Sequence, residues 1–374
     1  MICTRTRSQL RVLVASIPFP QNRFLLDLNN ALSELCFIEQ SSDAFWNKSG
    51  TCDIVHLHFP EYLTFKLATA YAEGLTESLI ADVAERLDWW SKRARLVITR
   101  HVLLPHGAKN DPLWEELYSV FYSYSDAVVH FGHASETEFK QRYADLVFNR
   151  GKPPVHSVIP HANYNSLPNR VTREEARKRL GISPRKKVML VFGAVRSDDE
   201  RNLILQTFDG VNTPDKVLLV SRWRENPIPI SWIRAQNWIK SLRRAYYRFH
   251  PEYVFNYDFV AEEETDMYLN AADVLFIPRL RVLNSGNVTL GMTFGRVVVG
   301  PDSWDVGELL TENGNPVFNP DQPSTAARAM EEGFRLADRG AVPASNRLKA
   351  LAEWQPAQCA RQYADLFTHL TSIS

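Results

Sequence analysis

ADVLFIPRLRVLNSGNVTLGMTFGRVVVGP, residues 272–301, decides the fold. Two apolar runs, ADVLFIP (272–278) and RVVVG (296–300), are too short for helices and rich in β-branched residues, so they read as strands. Between them, 287–294 follows a helical pattern opened by the small residues Ser285-Gly286. A strand, a helix and a second strand in so short a span make a parallel pair with a crossover helix.

The same unit recurs on both sides. Upstream lie the strand candidates KVMLVFG (187–193), KVLLVS (216–221) and YVFNY (253–257), with helices expected at 201–208, 231–249 and 263–271. Downstream, helices are expected at 303–310, 323–338 and, broken near Trp354-Gln-Pro356, over 343–372. The first half repeats the pattern with strands at 11–17, 36–40, 53–59, 95–101 and 126–132 and helices at 22–35, 62–92, 112–125 and 135–144. Asp111-Pro112 supplies an N-cap with proline in the first turn, and Ser135–Glu138 and Thr172–Glu175 fit capping boxes. Alternating strands and helices imply parallel sheets covered on both faces. The chain therefore reads as two doubly wound, Rossmann-like α/β domains, joined near residue 165.

Composition narrows the function. The 374 residues are 45% hydrophobic and 23% charged, ordinary values for a globular chain of about two domains. Forty-three Lys and Arg balance 43 Asp and Glu, which argues against a nucleic-acid binder. Four scattered cysteines, with no C-x-x-C pair, fit a reducing cytosol rather than a disulfide framework. No run approaches the roughly 18 apolar residues of a spanning helix, so any membrane contact is expected to be peripheral, at the inner face of the cytoplasmic membrane. SIPFPQNRF after the first strand carries no G-x-G-x-x-G, and no P-loop motif occurs, which demotes nicotinamide enzymes and P-loop enzymes.

Open parallel sheets bind ligands beyond the carboxyl ends of their strands, so strand-end residues are the candidates, and two such domains suggest a cleft between them. In the second half, Gly193-Ala-Val-Arg196 ends one strand, and Asn284, Ser285, Gly286 and Asn287 open a helix after another. Backbone N–H groups at a helix start suit a diphosphate, and arginine adds charge-assisted contacts. In the first half, His56 and His58, His101 and His106, and His130 and His133 follow strand ends. A metal pair at His56 and His58 lacks a marked third ligand. Glu61, after Pro60, is placed to take a proton from an acceptor hydroxyl; its ordinary structural reading is a helix-dipole carboxylate. The helix SWIRAQNWIKSLRRAYYRFH (231–250) spaces Trp238, Ile239, Leu242, Tyr246 and Phe249 as a stripe among basic residues. It suits an anionic bilayer, but packing of the stripe on the sheet is the favoured reading.

The segments DIVHLHFPEY, LVITRHVLLPHG, VIPHANY, TREEARKRLGI, LVFGAVRS and FVAEEETDMYLNAADVLFIPRLRVLNSGNVTLGMTFGRVVVGP resemble, in order, those of GT-B glycosyltransferases of the bacterial group 1 superfamily. HLHFPEY and LNSGNVTLGMTFGRVVVGP look most like the xanthan-type β-mannosyltransferases and related exopolysaccharide enzymes. The resemblance implies an acceptor-binding domain over 1–165, a nucleotide-sugar-binding domain over 166–356, and a final helix, 357–374, crossing back to the first. It implies that Arg196 holds the donor diphosphate with Asn284, Ser285, Gly286 and Asn287, and that Tyr257 to Glu262, Val260 included, approaches the nucleobase. The family's paired glutamates are replaced by Val282 and Leu290, which suits an inverting displacement. Its lysine after the arginine is absent, leaving Arg201 as the substitute.

The expected reaction is attack by a hydroxyl of a saccharide or lipid-linked saccharide on a nucleoside-diphosphate sugar, GDP-mannose first and a UDP-sugar next. Glu61 is the expected base, with His101 or His106 behind it. Neither a metal nor another cofactor is expected, since arginine and a helix terminus can neutralise the diphosphate. The rivals are a nucleotide-sugar epimerase on the same plan and a non-catalytic glycosyltransferase-like binding subunit.

Overall fold

A computed structural model describes residues 9–18, 22–105, 108, 111–224, 242 and 244–372. The chain forms two compact units, Met1–Ala162 with Trp354–Ser374, and Asn163–Glu353.

The first unit carries a six-stranded sheet in which all pairings are parallel: β1 (Arg11–Val14), β2 (Phe37–Gln40), β3 (Ile54–Leu57), β4 (Arg95–Thr99), β5 (Ala127–His130) and β6 (Val155–Val158). Their order is β2-β1-β3-β4-β5-β6, so the chain reverses direction across the sheet between β1 and β3. Val55, Leu57, Leu96 and Ile98 point to one face, beneath the helices Glu77–Ser91 and Pro112–Tyr124. Ile54 and Val97 point to the other, beneath Arg23–Ser33 and the C-terminal helix Pro356–Ser372. That last helix returns to this unit because Cys359, Ala360, Tyr363, Leu366, Phe367 and Leu370 form one apolar stripe, all buried on this face.

The second sheet is also parallel: β7 (Lys187–Ala194), β8 (Lys216–Arg222), β9 (Tyr253–Phe255), β10 (Val274–Phe276), β11 (Val297–Pro301) and β12 (Val317–Phe318). The order β12-β11-β10-β7-β8-β9 is the dinucleotide-fold order, reversing between β7 and β10. Arg177, 1% exposed, pins the start of this unit. Its guanidinium donates to the carbonyls of Ala271, Pro184 and Lys186 and to Asp273, whose carboxylate also accepts from Val188 N.

Several local expectations shift. The single helix expected over 62–92 is two, Phe65–Glu73 and Glu77–Ser91, because Gly74 takes a positive φ of 119° and Thr76 caps the second. The capping box at Ser135–Glu138 does not form. The helix starts at His133 behind Gly132, leaving Ser135 Oγ to meet His130 Nδ1 at 3.0 Å and Glu138 to pair with the buried Arg100. The caps at Asp111 and Thr172 form as expected. The strands β6 and β12 and the short helix Ser42–Trp46, unmarked in the sequence, are too brief or too exposed to show a pattern.

The described part of the stripe expected on 231–250 does not pack on the sheet. Of its members, Trp238 and Ile239 lie outside the described residues, while Leu242, Tyr246 and Phe249 are exposed. Tyr247 faces the sheet instead, because Phe255 and Trp223 form the socket there.

Candidate active site

In the second unit the loops after β7 and β10 leave the sheet on either side of its switch point. The β7 strand bends before its end: the pairing with β8 shifts register between Val191 and Ala194, and Gly193 sits at φ 94°, where a side chain would be strained. Ser221 Oγ accepts from Gly193 N at 2.7 Å and holds that bend. Arg196 then emerges exposed, its backbone N–H donating to Glu200 Oε2 at 2.7 Å. The other oxygen of Glu200 accepts from Arg279 Nε, 3.2 Å away on the loop after β10. Asn287 Nδ2 donates to the Phe192 carbonyl at 2.8 Å, tying the helix Gly286–Thr293 to β7. Glu200 and Asn287 therefore join two loops about 80–95 residues apart in the chain into one surface.

Asn284, Ser285, Gly286 and Asn287 are half-buried at the start of that helix, and the Ser285 side chain makes no capping bond. The helix lies against the sheet through Gly291, where a Cβ would stand 2.6 Å from Val298 Cγ2 and 2.8 Å from Leu275 Cδ2. Arg201 is buried, its guanidinium held by Asp198 Oδ1 at 2.6 Å and by the Arg224 carbonyl. Tyr257, Val260 and Glu262 are half-buried on the segment after β9, and the Arg244 guanidinium lies 4.4 Å over the Tyr257 ring. A groove of about 740 Å³ runs beside the edge strand β9, lined by Arg244, Tyr247, Phe249, Tyr253 and Tyr257 among others. It lies two strands from the switch point, beside which open parallel sheets bind their ligands.

The first unit gathers histidines that the sequence only scattered. Along β3 and β4, His56, His58, Thr99 and His101 alternate with the residues of the opposite core, so they share one face. His56 Nε2 meets Thr99 Oγ1 at 2.9 Å, and Thr99 Oγ1 meets the hydroxyl of Tyr363 at 3.0 Å. His58 Nδ1 meets His101 Nε2 at 3.0 Å. Phe59 stacks on His101 at 4.0 Å, and Phe24 and Phe131 pack edge-on around it. His161, which no strand-end reading singled out, lies 4.2 Å from the Phe24 ring. Burial among these rings holds the imidazoles neutral: His56 falls to about 3 and His161 to about 4, and His58 and His101 fall well below their usual value.

Glu61 lies elsewhere. It is 5% exposed in the turn Pro60–Tyr62 and accepts a 2.8 Å hydrogen bond from the Tyr118 hydroxyl, on the helix Pro112–Tyr124. That helix covers the face opposite the histidines. Burial raises the Glu61 carboxyl above its usual range. His106 lies outside the described residues. His130 pairs with His156 at 3.0 Å, and His133 approaches Glu136, apart from the His58–His101 pair. Among the described residues, no group of three His, Cys, Asp or Glu is arranged to hold a metal ion.

The fold is that of the GT-B glycosyltransferases, two Rossmann-like units on one chain. Sucrose-phosphate synthase from Thermosynechococcus elongatus superposes with a TM-score of 0.67 at 14% identity, covering 98% of this chain and 100% of its own. HepE from Anabaena, in complex with UDP-glucose, gives 0.65 at 13% identity, covering 96% and 100%. The trehalose 6-phosphate synthase of Burkholderia multivorans gives 0.59 at 16% identity, covering 95% and 77%. No protein-family model and no curated protein matches the chain.

Proposed function

We propose that this protein is a glycosyltransferase that moves a sugar from a nucleoside-diphosphate sugar to a hydroxyl of a saccharide or lipid-linked saccharide. One observation carries the reading: Glu200 and Asn287 lock the β7 and β10 loops together at the switch point of a dinucleotide-fold sheet, with Arg196 exposed beside them. The helix start at Ser285–Asn287 and the Arg196 guanidinium are then the groups for the donor diphosphate. Arg201 supports the loop through Asp198 rather than replacing a phosphate-binding lysine. Tyr257, Val260 and Glu262 are the proposed nucleobase contacts.

The proposed chemistry is an inverting displacement. Valine and leucine at 282 and 290 leave no carboxylate on that helix, so the acceptor's proton goes to a first-unit group. His101 is the base we favour, because it follows the end of β4 and His58 fixes its orientation. Glu61 is the second candidate, its carboxylate turned toward Tyr118. Arginine and backbone N–H groups stabilise the leaving diphosphate, and no metal or other cofactor is needed in this scheme. The xanthan-type resemblance supports GDP-mannose and exopolysaccharide synthesis, whereas the UDP-glucose bound to HepE supports a UDP-sugar. The protein would work in the cytoplasm, in peripheral contact with the membrane that carries a lipid-linked acceptor.

A thermal-shift panel of GDP, UDP, ADP and dTDP tests the donor site. The matching nucleotide at a hundred times its Kd should add about 2.7 kcal/mol of stability. Arg196→Ala should abolish the shift without lowering the unliganded melting temperature. A shift that survives Arg196→Ala would remove that residue from the phosphate site, and no shift with any nucleotide would overturn the donor reading.

A further inference from the structure

The crossover from β8 to β9 presents an apolar face that the sheet does not use. Leu242, Tyr246 and Phe249 are 50%, 59% and 83% exposed. Their i, i+4, i+7 spacing puts them on a single side of a helix. The opposite side already has its contact: the Tyr247 ring lies 4.6 Å from Phe255 and 5.9 Å from Trp223. Three large apolar groups therefore point away from the core.

The local sequence carries charge of one sign. Residues 226–251 contain five basic residues, Arg234, Lys240, Arg243, Arg244 and Arg248, and no Asp or Glu, in a chain whose net charge is zero. Arg248 is exposed next to Phe249, where its stem can lie along the apolar stripe with its guanidinium in a polar layer. A second copy of this chain is a poor occupant, since a twofold contact would bring the same basic groups face to face. An anionic bilayer surface accepts both halves: apolar and aromatic side chains at the headgroup boundary, arginines on the phosphates.

We propose that the Leu242–Tyr246–Phe249 face, flanked by Arg248, docks the second unit onto an anionic lipid bilayer. The patch belongs to the crossover that packs on β8 and β9 through Tyr247. The proposal stands whether or not the chain transfers a sugar.

The test is co-sedimentation of the full chain with phosphatidylcholine vesicles, with and without phosphatidylglycerol. Binding is expected only with phosphatidylglycerol and should weaken as salt rises. The double variant Tyr246→Ser, Phe249→Ser should lower partitioning by roughly tenfold or more. Arg248→Glu should lower it further in low salt than in high salt. All three positions are exposed, so melting curves should match the parent and certify the fold. Absence of vesicle binding overturns the proposal, as does equal binding to neutral vesicles or undiminished binding by the double variant. A concentration-dependent dimer that Phe249→Ser dissolves would assign the face to a second copy and would equally overturn it.

Discussion

Lowering the pH should unfold the first unit and spare the second. His56, His58, His101 and His161 are held neutral by burial in the folded chain, two of them near 3 and 4, while in the unfolded chain each titrates near 6.5. Depressed folded values mean that the stability is fully present above about pH 6.5 and is lost as pH falls toward the folded values. Between pH 6 and 5 each unfolded histidine holds most of a proton that its buried folded counterpart lacks, which costs about 1 kcal/mol for each of His56 and His161. His58 and His101 act in the same direction, and a few kcal/mol is a large part of a typical stability of about 5–15 kcal/mol. His130 and His156, also lowered by burial, add in the same direction. Glu61 opposes them, because its raised carboxyl favours the folded form as pH falls, but it is one group. All these groups belong to Met1–Ala162. Hydrogen exchange read peptide by peptide should therefore show protection falling steeply below pH 6 in the first unit, with Asn163–Glu353 little changed. His56→Gln keeps a donor toward Thr99 and removes one titrating group, so it should flatten the slope. Equal loss in both units, or protection unchanged from pH 7 to 5, would refute the reasoning.

Three further outcomes are expected. His101→Ala should lower turnover by about 10²–10⁴-fold with donor binding intact, and Glu61→Gln should lower it far less; the reverse ranking moves the base to Glu61. Turnover should survive EDTA, and a loss restored by magnesium or manganese would sink the metal-independent scheme. Gly291→Ala should destabilise by about 1–3 kcal/mol, since its Cβ meets Val298 and Leu275, and should weaken nucleotide binding by lifting the helix start; calorimetry with the matching nucleotide reads both effects.

The strand–helix alternation was legible because each run is local: four to eight apolar residues, then a turn or cap, decide strand or helix without distant partners. The loops carrying Arg196 and Ser285–Asn287 were legible for the same reason, being the polar ends of those runs. Glu200 was not. It reads as a first-turn carboxylate until the fold brings Arg279 to it across 79 residues of chain. His161 was missed because it follows an edge strand and gains its setting from Phe24, near the other end of the unit.

By itself, then, the sequence determined two α/β halves, the strand ends that matter and the residue types available there. Only the tertiary structure decided which of those residues meet. Strand order placed the β7 and β10 loops side by side, and which helices cover which face sent His56, His58 and His101 to the Tyr363 side and Glu61 to Tyr118. Tyr247 rather than Tyr246 faces the sheet for a similar reason: Trp223 and Phe255 form the socket, and they come from two other stretches of the chain. A side chain's direction follows from local backbone geometry, but what it meets there depends on partners tens to hundreds of residues away, which no local pattern records.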